Sequence, residues 1–193
     1  MNTYKIAEIF HSLQGEGFWS GTPVIFIRFA GCNKKCDFCD TDFKQTMELN
    51  AHEVLKAIQT EERKCGMVDR LVFTGGEPML QLDMELLEEM EMGWGLHIET
   101  NGSIAIPEEM RRVLDWVTVS PKAERLNVRK GSELKVVYQN QPDSYFQELG
   151  NLDFQGFFLQ PCSMKNIPET VEAVKRLPGW RLSIQMHKVV NIR

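Results

Sequence analysis

No stretch of the 193-residue chain approaches the roughly 18 consecutive apolar residues that a membrane-spanning helix needs. The opening Met1-Asn2-Thr3-Tyr4-Lys5 has no apolar signal core. Both absences predict a soluble, cytoplasmic protein with no membrane partner. Positive charge is also short: 22 Lys and Arg stand against 27 Asp and Glu, for a net charge of −5. Neutralising phosphates takes clustered Lys and Arg, so a nucleic-acid partner is not expected. Low-complexity tracts, linkers and internal repeats are missing as well. With 42% apolar residues, a chain of this length can bury one sizeable core, and a single domain over 1–193 is expected.

Cysteine is scarce and odd in number, five in all, which argues against a secreted disulfide framework. Three of the five nevertheless fall in one short stretch, Cys32-Asn33-Lys34-Lys35-Cys36-Asp37-Phe38-Cys39-Asp40-Thr41. The spacing C-x3-C-x2-C turns the chain sharply and brings three thiolates to one centre, as short loops do around iron–sulfur clusters. A structural zinc site would want a fourth Cys or His at finger-like spacing, and Cys65, Cys162 and His52 all lie elsewhere. Three protein ligands on a four-iron cube leave one iron open, which favours a cluster that binds something over pure electron transfer. Lys34 and Lys35 either add positive charge near the cluster or are solvated loop charges. Cys65 and Cys162 read as buried thiols.

The rest of the chain alternates strand with helix. Strands are expected at 4–10, 23–30, 71–74, 96–100, 116–120, 133–138, 156–160 and 180–184, with helices at 51–65, 79–92, 107–114, 143–149 and 168–177. This alternation predicts an α/β fold with a mostly parallel sheet and outer helices. Six core strands from Leu71 onward are too few for an eight-unit barrel of about 250 residues, so an open, abridged (β/α)6-type partial TIM barrel fits. The glycine-rich 11–21 stretch is either a ligand-contacting turn or a flexible hairpin loop. Arg28, in an apolar strand, must be paired or face a polar cavity. Gly75-Gly76-Glu77-Pro78 follows a strand, where parallel sheets place ligand sites, although paired glycines also punctuate ordinary loops. The methionines after it read as core packing. The polar 123–131 segment is the best candidate for a mobile loop.

C-x3-C-x2-C after an early strand, with Gly-Gly-Glu-Pro after the next, resembles the radical S-adenosylmethionine superfamily. Further stretches narrow the likeness: Ser12-Leu13-Gln14-Gly15-Glu16-Gly17, Arg28-Phe29-Ala30-Gly31-Cys32, Cys39-Asp40-Thr41, Glu99-Thr100-Asn101-Gly102, Ser120-Pro121-Lys122 and Gln185-Met186-His187-Lys188. Together they resemble the 7-carboxy-7-deazaguanine synthase family, essentially end to end. The resemblance implies a radical SAM-type partial barrel and the conversion of 6-carboxy-5,6,7,8-tetrahydropterin to 7-carboxy-7-deazaguanine with loss of ammonia, on the route to queuosine and related deazapurines. It also implies a 4Fe-4S cluster, S-adenosyl-L-methionine and Mg2+ as cofactors, a reductant protein such as a flavodoxin, and a homodimer.

Carried over by motif, Cys32, Cys36 and Cys39 hold the cluster and Thr41 holds Mg2+, with the substrate carboxylate completing a shell that one hydroxyl cannot supply. Leu13, Gln14, Gly15, Arg28 and Thr74 match substrate contacts, and Arg193 would reach the substrate from the C-terminus. Gly76, Glu77, Ser120, Pro121, Lys122, Gln160, Pro161, Cys162 and Ser163 match cofactor contacts, with Glu77 receiving the methionine ammonium. Glu16, Glu99 and His187 are further pocket residues without assigned roles. Two other readings remain at this point: an activase that makes a glycyl radical on a protein partner, which needs an open docking face, and a non-catalytic metal module.

Overall fold

In the computed structural model, which describes residues 2–91, 93–122 and 126–192, nine strands form one sheet in the order β3-β1-β2-β4-β5-β6-β7-β8-β9. They are β1 (Thr3–Leu13), β2 (Pro23–Phe29), β3 (Met47–Asn50), β4 (Arg70–Gly75), β5 (Gly95–Thr100), β6 (Trp116–Val119), β7 (Lys130–Tyr138), β8 (Asp153–Pro161) and β9 (Trp180–Leu182). From β2 to β9 every neighbour is parallel, while β1 pairs antiparallel with both β2 and β3. The expected open α/β barrel is thus present, with a three-strand antiparallel margin.

Among the described residues six α-helices, α1 (Ala51–Cys65), α2 (Met84–Glu88), α3 (Glu108–Val113), α4 (Asp143–Leu149), α5 (Ile167–Arg176) and α6 (Met186–Val189), fill connections between strands or follow the last one. A reciprocal capping box between Asn50 and Glu53 starts α1. Its buried residues, Ala51, Val54 and Ile58, all lie in its first half. Cys65, at the far end, is exposed rather than buried as its helical spacing suggested. The helix expected over 79–92 is interrupted. A one-turn 3-10 helix at Pro78–Leu80 is followed by a fresh start at Asp83, whose carboxylate caps the Leu86 N–H. Residue 92, the expected helix end, lies outside the described residues, as does the 123–125 part of the expected mobile loop.

Strand alternation sorts the side chains into two environments. Ile25, Ile27, Phe29, Leu71, Phe73, Leu96, Ile98, Val117, Val119, Leu134 and Val136 belong to the large core shared with the helices. The other face lines the barrel interior, where Phe10, Val24, Phe26 and Val72 form a small apolar cluster. Register pairs Arg28 with Thr74, Glu99 with Thr118 and Thr118 with Glu133. Polar side chains therefore line one level of an otherwise apolar interior.

Among the described residues the edge strands β3 and β9 are not paired with each other, so the sheet stays open. The β1–β2 hairpin loop spans the gap instead: the Gly17 N–H donates to Ser183 Oγ at 2.8 Å, the Phe18 N–H to Glu133 Oε2 at 2.9 Å, and the Met186 N–H to the Gly15 carbonyl at 2.9 Å. Phe18 and Trp19 from the same loop pack on Trp116, and the Arg70 guanidinium lies 4.0 Å from the Trp19 ring centre. No helix among the described residues is long and apolar enough to cross a membrane.

Candidate active site

A cavity of about 260 Å3 lies in the barrel interior, bounded by the cysteine loop, the Gly75-Gly76 turn, the hairpin loop and the segment around α6. It gathers most of the residues singled out from sequence: Leu13, Gln14, Gly15, Glu16, Arg28, Cys32, Cys36, Cys39, Thr41, Thr74, Gly76, Glu99, Ser120, Lys122, Gln160 and His187. Pro121 is not in its lining. Cys162 and Ser163 are not in its lining but border an adjoining hollow that shares Phe38, Cys39 and Asp40 with it, and Cys162 is half-buried rather than enclosed. Pro161, the last residue of β8, is in neither lining. Arg193, expected to reach the substrate, lies outside the described residues.

The cysteine loop follows β2 directly and is shaped by a tight turn in which the Cys39 N–H donates to the Cys36 carbonyl at 3.0 Å. All three thiols open on the same cavity. Among the described residues no set of three His, Cys, Asp or Glu side chains is gathered closely enough to hold one metal ion; a four-iron cube instead takes one thiolate at each of three separate corners. Burial pushes the Cys36 thiol up, opposed by the nearby Lys122 ammonium. Lys122 is pushed down by burial and by Lys135. Its Nζ donates to Ser120 Oγ at 2.7 Å and lies 5.4 Å from the Phe38 ring centre.

The Gly75-Gly76 turn packs backbone to backbone on the start of that loop. The Gly76 N–H donates to the Phe29 carbonyl at 3.2 Å, and the Glu77 N–H to the Gly31 carbonyl at 3.0 Å. A Cβ on Gly76 would stand 1.9 Å from the Gly31 carbonyl oxygen. The pair is a close-approach device rather than loop punctuation.

Glu77, expected to receive a cofactor ammonium, does not line the cavity, and its carboxylate is taken up by donors within the protein. It is fully buried and accepts from Thr100 Oγ1 at 2.7 Å, the Asn101 N–H at 2.7 Å and the Met79 N–H at 3.0 Å. Burial pushes its pKa up despite these three donors. It ties the end of β4 to the end of β5.

Arg28 serves both readings given to it. Its Nε donates to Glu8 at 2.7 Å, one of the five N–H donors of a guanidinium, and its side chain also lines the cavity. His187 packs on Gly15 so closely that a Cβ there would meet its Nδ1 at 2.2 Å, so His187 belongs to the site rather than to a loose tail. Lys188 beside it pairs with Asp40, fastening α6 to the cysteine loop.

Sequence reasoning missed Lys135 and Gln185. Lys135 is only 4% exposed; its Nζ lies 2.5 Å from Glu16 Oε2 and 3.6 Å from Glu99 Oε1. Gln160 and Gln185 both donate to Glu16 Oε1, at 3.1 and 2.9 Å. Glu99 accepts from Gln14 at 3.0 Å and from Thr74 at 3.0 Å. The signal was available: Glu133 and Lys135 are two charges in a strand otherwise apolar enough to be buried on both faces. Gln160 Oε1 is buried with no donor from the described residues, an acceptor suited to a bound ligand's N–H or O–H.

Burial works to raise the Glu16 carboxyl, but the Lys135 ammonium and the bonds from Lys135 and Gln185 outweigh it and hold it below its ordinary 4.5. Burial works to lower Lys135, but Glu16, Glu99 and Glu133 outweigh it and raise it. The sign follows by linkage. Stability from Glu16 is full above its unfolded value near 4.5 and is lost as pH falls toward about 2. Stability from Lys135 is full below its unfolded value near 10.5 and is lost at higher pH. Glu16→Gln is therefore expected to flatten the acid limb of stability between pH 4.5 and 2, measured as urea midpoints against pH. An acid limb identical to the unsubstituted protein's would contradict the assignment.

The family model for the radical SAM superfamily matches residues 26–130. The chain is 45% identical to the 7-carboxy-7-deazaguanine synthase of Bacteroides thetaiotaomicron, with 98% of each chain covered. It is 42% identical to the enzyme of that name from Burkholderia multivorans, covering 98% of this chain and 99% of the relative. Among solved structures, QueE from Escherichia coli superposes with a TM-score of 0.75 at 26% identity, covering 96% of this chain and 95% of that one. On this cavity, these motifs and these end-to-end likenesses, the chain belongs to the radical SAM superfamily and, within it, to the 7-carboxy-7-deazaguanine synthase family.

Proposed function

We propose that the chain converts 6-carboxy-5,6,7,8-tetrahydropterin to 7-carboxy-7-deazaguanine with release of ammonia, in queuosine and other 7-deazapurine biosynthesis. The observation that carries this reading is the make-up of the cavity wall. Arg28 and Thr41 offer a cation and a hydroxyl to a carboxylate, while Glu16 and Glu99 offer acceptors to the donor edge of a heterocycle. A small amphoteric ring acid uses both.

Cys32, Cys36 and Cys39 would hold a 4Fe-4S cluster, and the Gly76 backbone, Ser120, Lys122 and Gln160 would hold S-adenosyl-L-methionine. The unpartnered Gln160 Oε1 and the glycine turn pressed on the cysteine loop fit such groups. When bound, they supply a radical able to abstract hydrogen from the substrate. The protein's own part is placement and exclusion. Arg28 pairs with the substrate carboxylate through the part of its fork that Glu8 does not use. Thr41 would offer one oxygen to a bound Mg2+, which would help to neutralise the substrate carboxylate. Phe10, Phe26, Phe38 and Phe43 in the cavity wall keep water from the reacting carbon.

Electrons would come from a reductant protein such as a flavodoxin, in the cytoplasm. A homodimer is part of the same reading. It is supported by the edge strand β9 and the exposed Leu182, Ile184, Val189, Val190 and Ile192 beside it.

Incubating reduced, cluster-loaded protein with S-adenosylmethionine, Mg2+ and carboxytetrahydropterin is expected to yield carboxydeazaguanine. Cofactor cleavage with no such product, with or without Mg2+, would sink the reading. Thr41→Ala is expected to weaken Mg2+ dependence while the cluster's visible absorption persists; loss of that absorption instead would make Thr41 a structural residue.

A further inference from the structure

The cavity's most buried charge has no place in the roles above. Lys135 stands on β7, its ammonium reached by Glu16 from the hairpin loop and Glu99 from β5. A buried ammonium is tolerated only when paired, so the two carboxylates stabilise it. The dependence also runs the other way. Without that cation, the half-buried Glu16 and Glu99 would be two acids facing one site, with Glu133 close to the same ammonium, and groups of like charge so placed repel one another. Burial already pushes Glu133 up.

The remaining partners fix where the acids point. Gln14 and Thr74 hold Glu99 from one side, and Gln160 and Gln185 hold Glu16 from the other. With Lys135 between them, both oxygens of each carboxylate are aimed and both groups line the cavity. A ring edge carrying an exocyclic amino group beside a ring N–H presents donors only, and two aimed, ionised carboxylates are its complement.

Resting on the proposed pterin reading, we infer that Lys135 is a positioning residue that holds Glu16 and Glu99 as paired, ionised acceptors for the 2-amino edge of the substrate ring, and so sets the enzyme's selectivity for an aminated ring.

The test is binding rather than turnover. 6-Carboxypterin has no hydrogen on its carboxylated carbon and cannot react, so it reports recognition alone. 6-Carboxylumazine differs by a carbonyl oxygen where the pterin has its amino group, which sets acceptor against acceptor. Calorimetric titration of each into the cluster-loaded protein with S-adenosylmethionine and Mg2+ gives a ratio of affinities. The unsubstituted protein is expected to favour the pterin by about tenfold or more, since a site built for a donor rejects an analogue lacking it. Lys135→Met is expected to bring that ratio near one, and Lys135→Arg to restore part of it. A merely structural lysine would weaken both ligands alike and leave the ratio in place, and that outcome overturns the inference. Should Lys135→Met fail to fold, an unchanged ratio in Glu16→Gln overturns it equally. A ratio near one in the unsubstituted protein overturns the inference while leaving the proposed reaction standing; no binding of carboxypterin at all overturns both.

Discussion

Gly76→Ala is expected to lower turnover by about a hundredfold while leaving every cavity side chain chemically intact. The added methyl would lie 1.9 Å from the Gly31 carbonyl oxygen and 2.9 Å from the Cys32 Cβ. Both neighbours are fixed: Gly31 accepts from the Glu77 N–H at 3.0 Å, and Cys32 begins the cysteine loop. Something in the backbone must move by about an ångström, and a displacement of that size between reacting partners costs on the order of a hundredfold in rate. Overpacking alone costs roughly 1–3 kcal/mol. Gly93→Ala is the matched control, since nothing lies within 4 Å of a Cβ there and its φ is unremarkable for an L-residue. Product formation and thermal midpoints of both variants decide the matter. Turnover by Gly76→Ala within threefold or so of the unsubstituted protein would show that the two loops are not coupled through this contact.

The parts of this site that lie together in sequence were legible there. Three thiols in eight residues announce their chemistry through local spacing; the double glycine at a strand end and the Thr41 hydroxyl took on meaning only through the family resemblance. The parallel strands were legible because they are buried on both faces and read as apolar runs. The short β3 was not: Met47–Asn50 alternates apolar with polar over only four residues, too short a run to stand out from the loop before α1, and it is fixed by pairing with β1. The break between Leu80 and Met84 was missed because helix-favouring Met, Leu and Glu masked the capping signal of Asp83. Lys135 was missed for another reason. Its partners Glu16 and Glu99 are 119 and 36 residues away in sequence, and only the hairpin loop reaching across the open barrel brings the first of them to it. Long-range pairing of this kind leaves one local trace, a charge where an apolar residue belongs.

Removing the Glu77 carboxylate is expected to come close to unfolding the protein, although Glu77 is not in the cavity lining. Three donors converge on it: the Thr100 hydroxyl, the Asn101 N–H and the Met79 N–H. Thr100 ends the strand that carries Glu99 and Asn101 follows it, and Met79 lies in the 3-10 turn after Gly76, so Glu77 joins the two loops that bound the cavity on this side. In Glu77→Ala each donor loses its acceptor inside the protein, at about 1–3 kcal/mol apiece. Even partial rescue by water leaves a cost of roughly 3–6 kcal/mol, against a total stability of about 5–15 kcal/mol for a typical domain. Glu77→Gln keeps the shape and one carbonyl oxygen. Its amide NH2 then faces at least one of the three donors, so a smaller loss of about 2 kcal/mol is expected. Urea unfolding of the three proteins orders them: unsubstituted, Gln, Ala. An Ala variant destabilised by less than about 1 kcal/mol would mean that the donors find other acceptors, and Glu77 would then have to be reconsidered as a ligand-facing group.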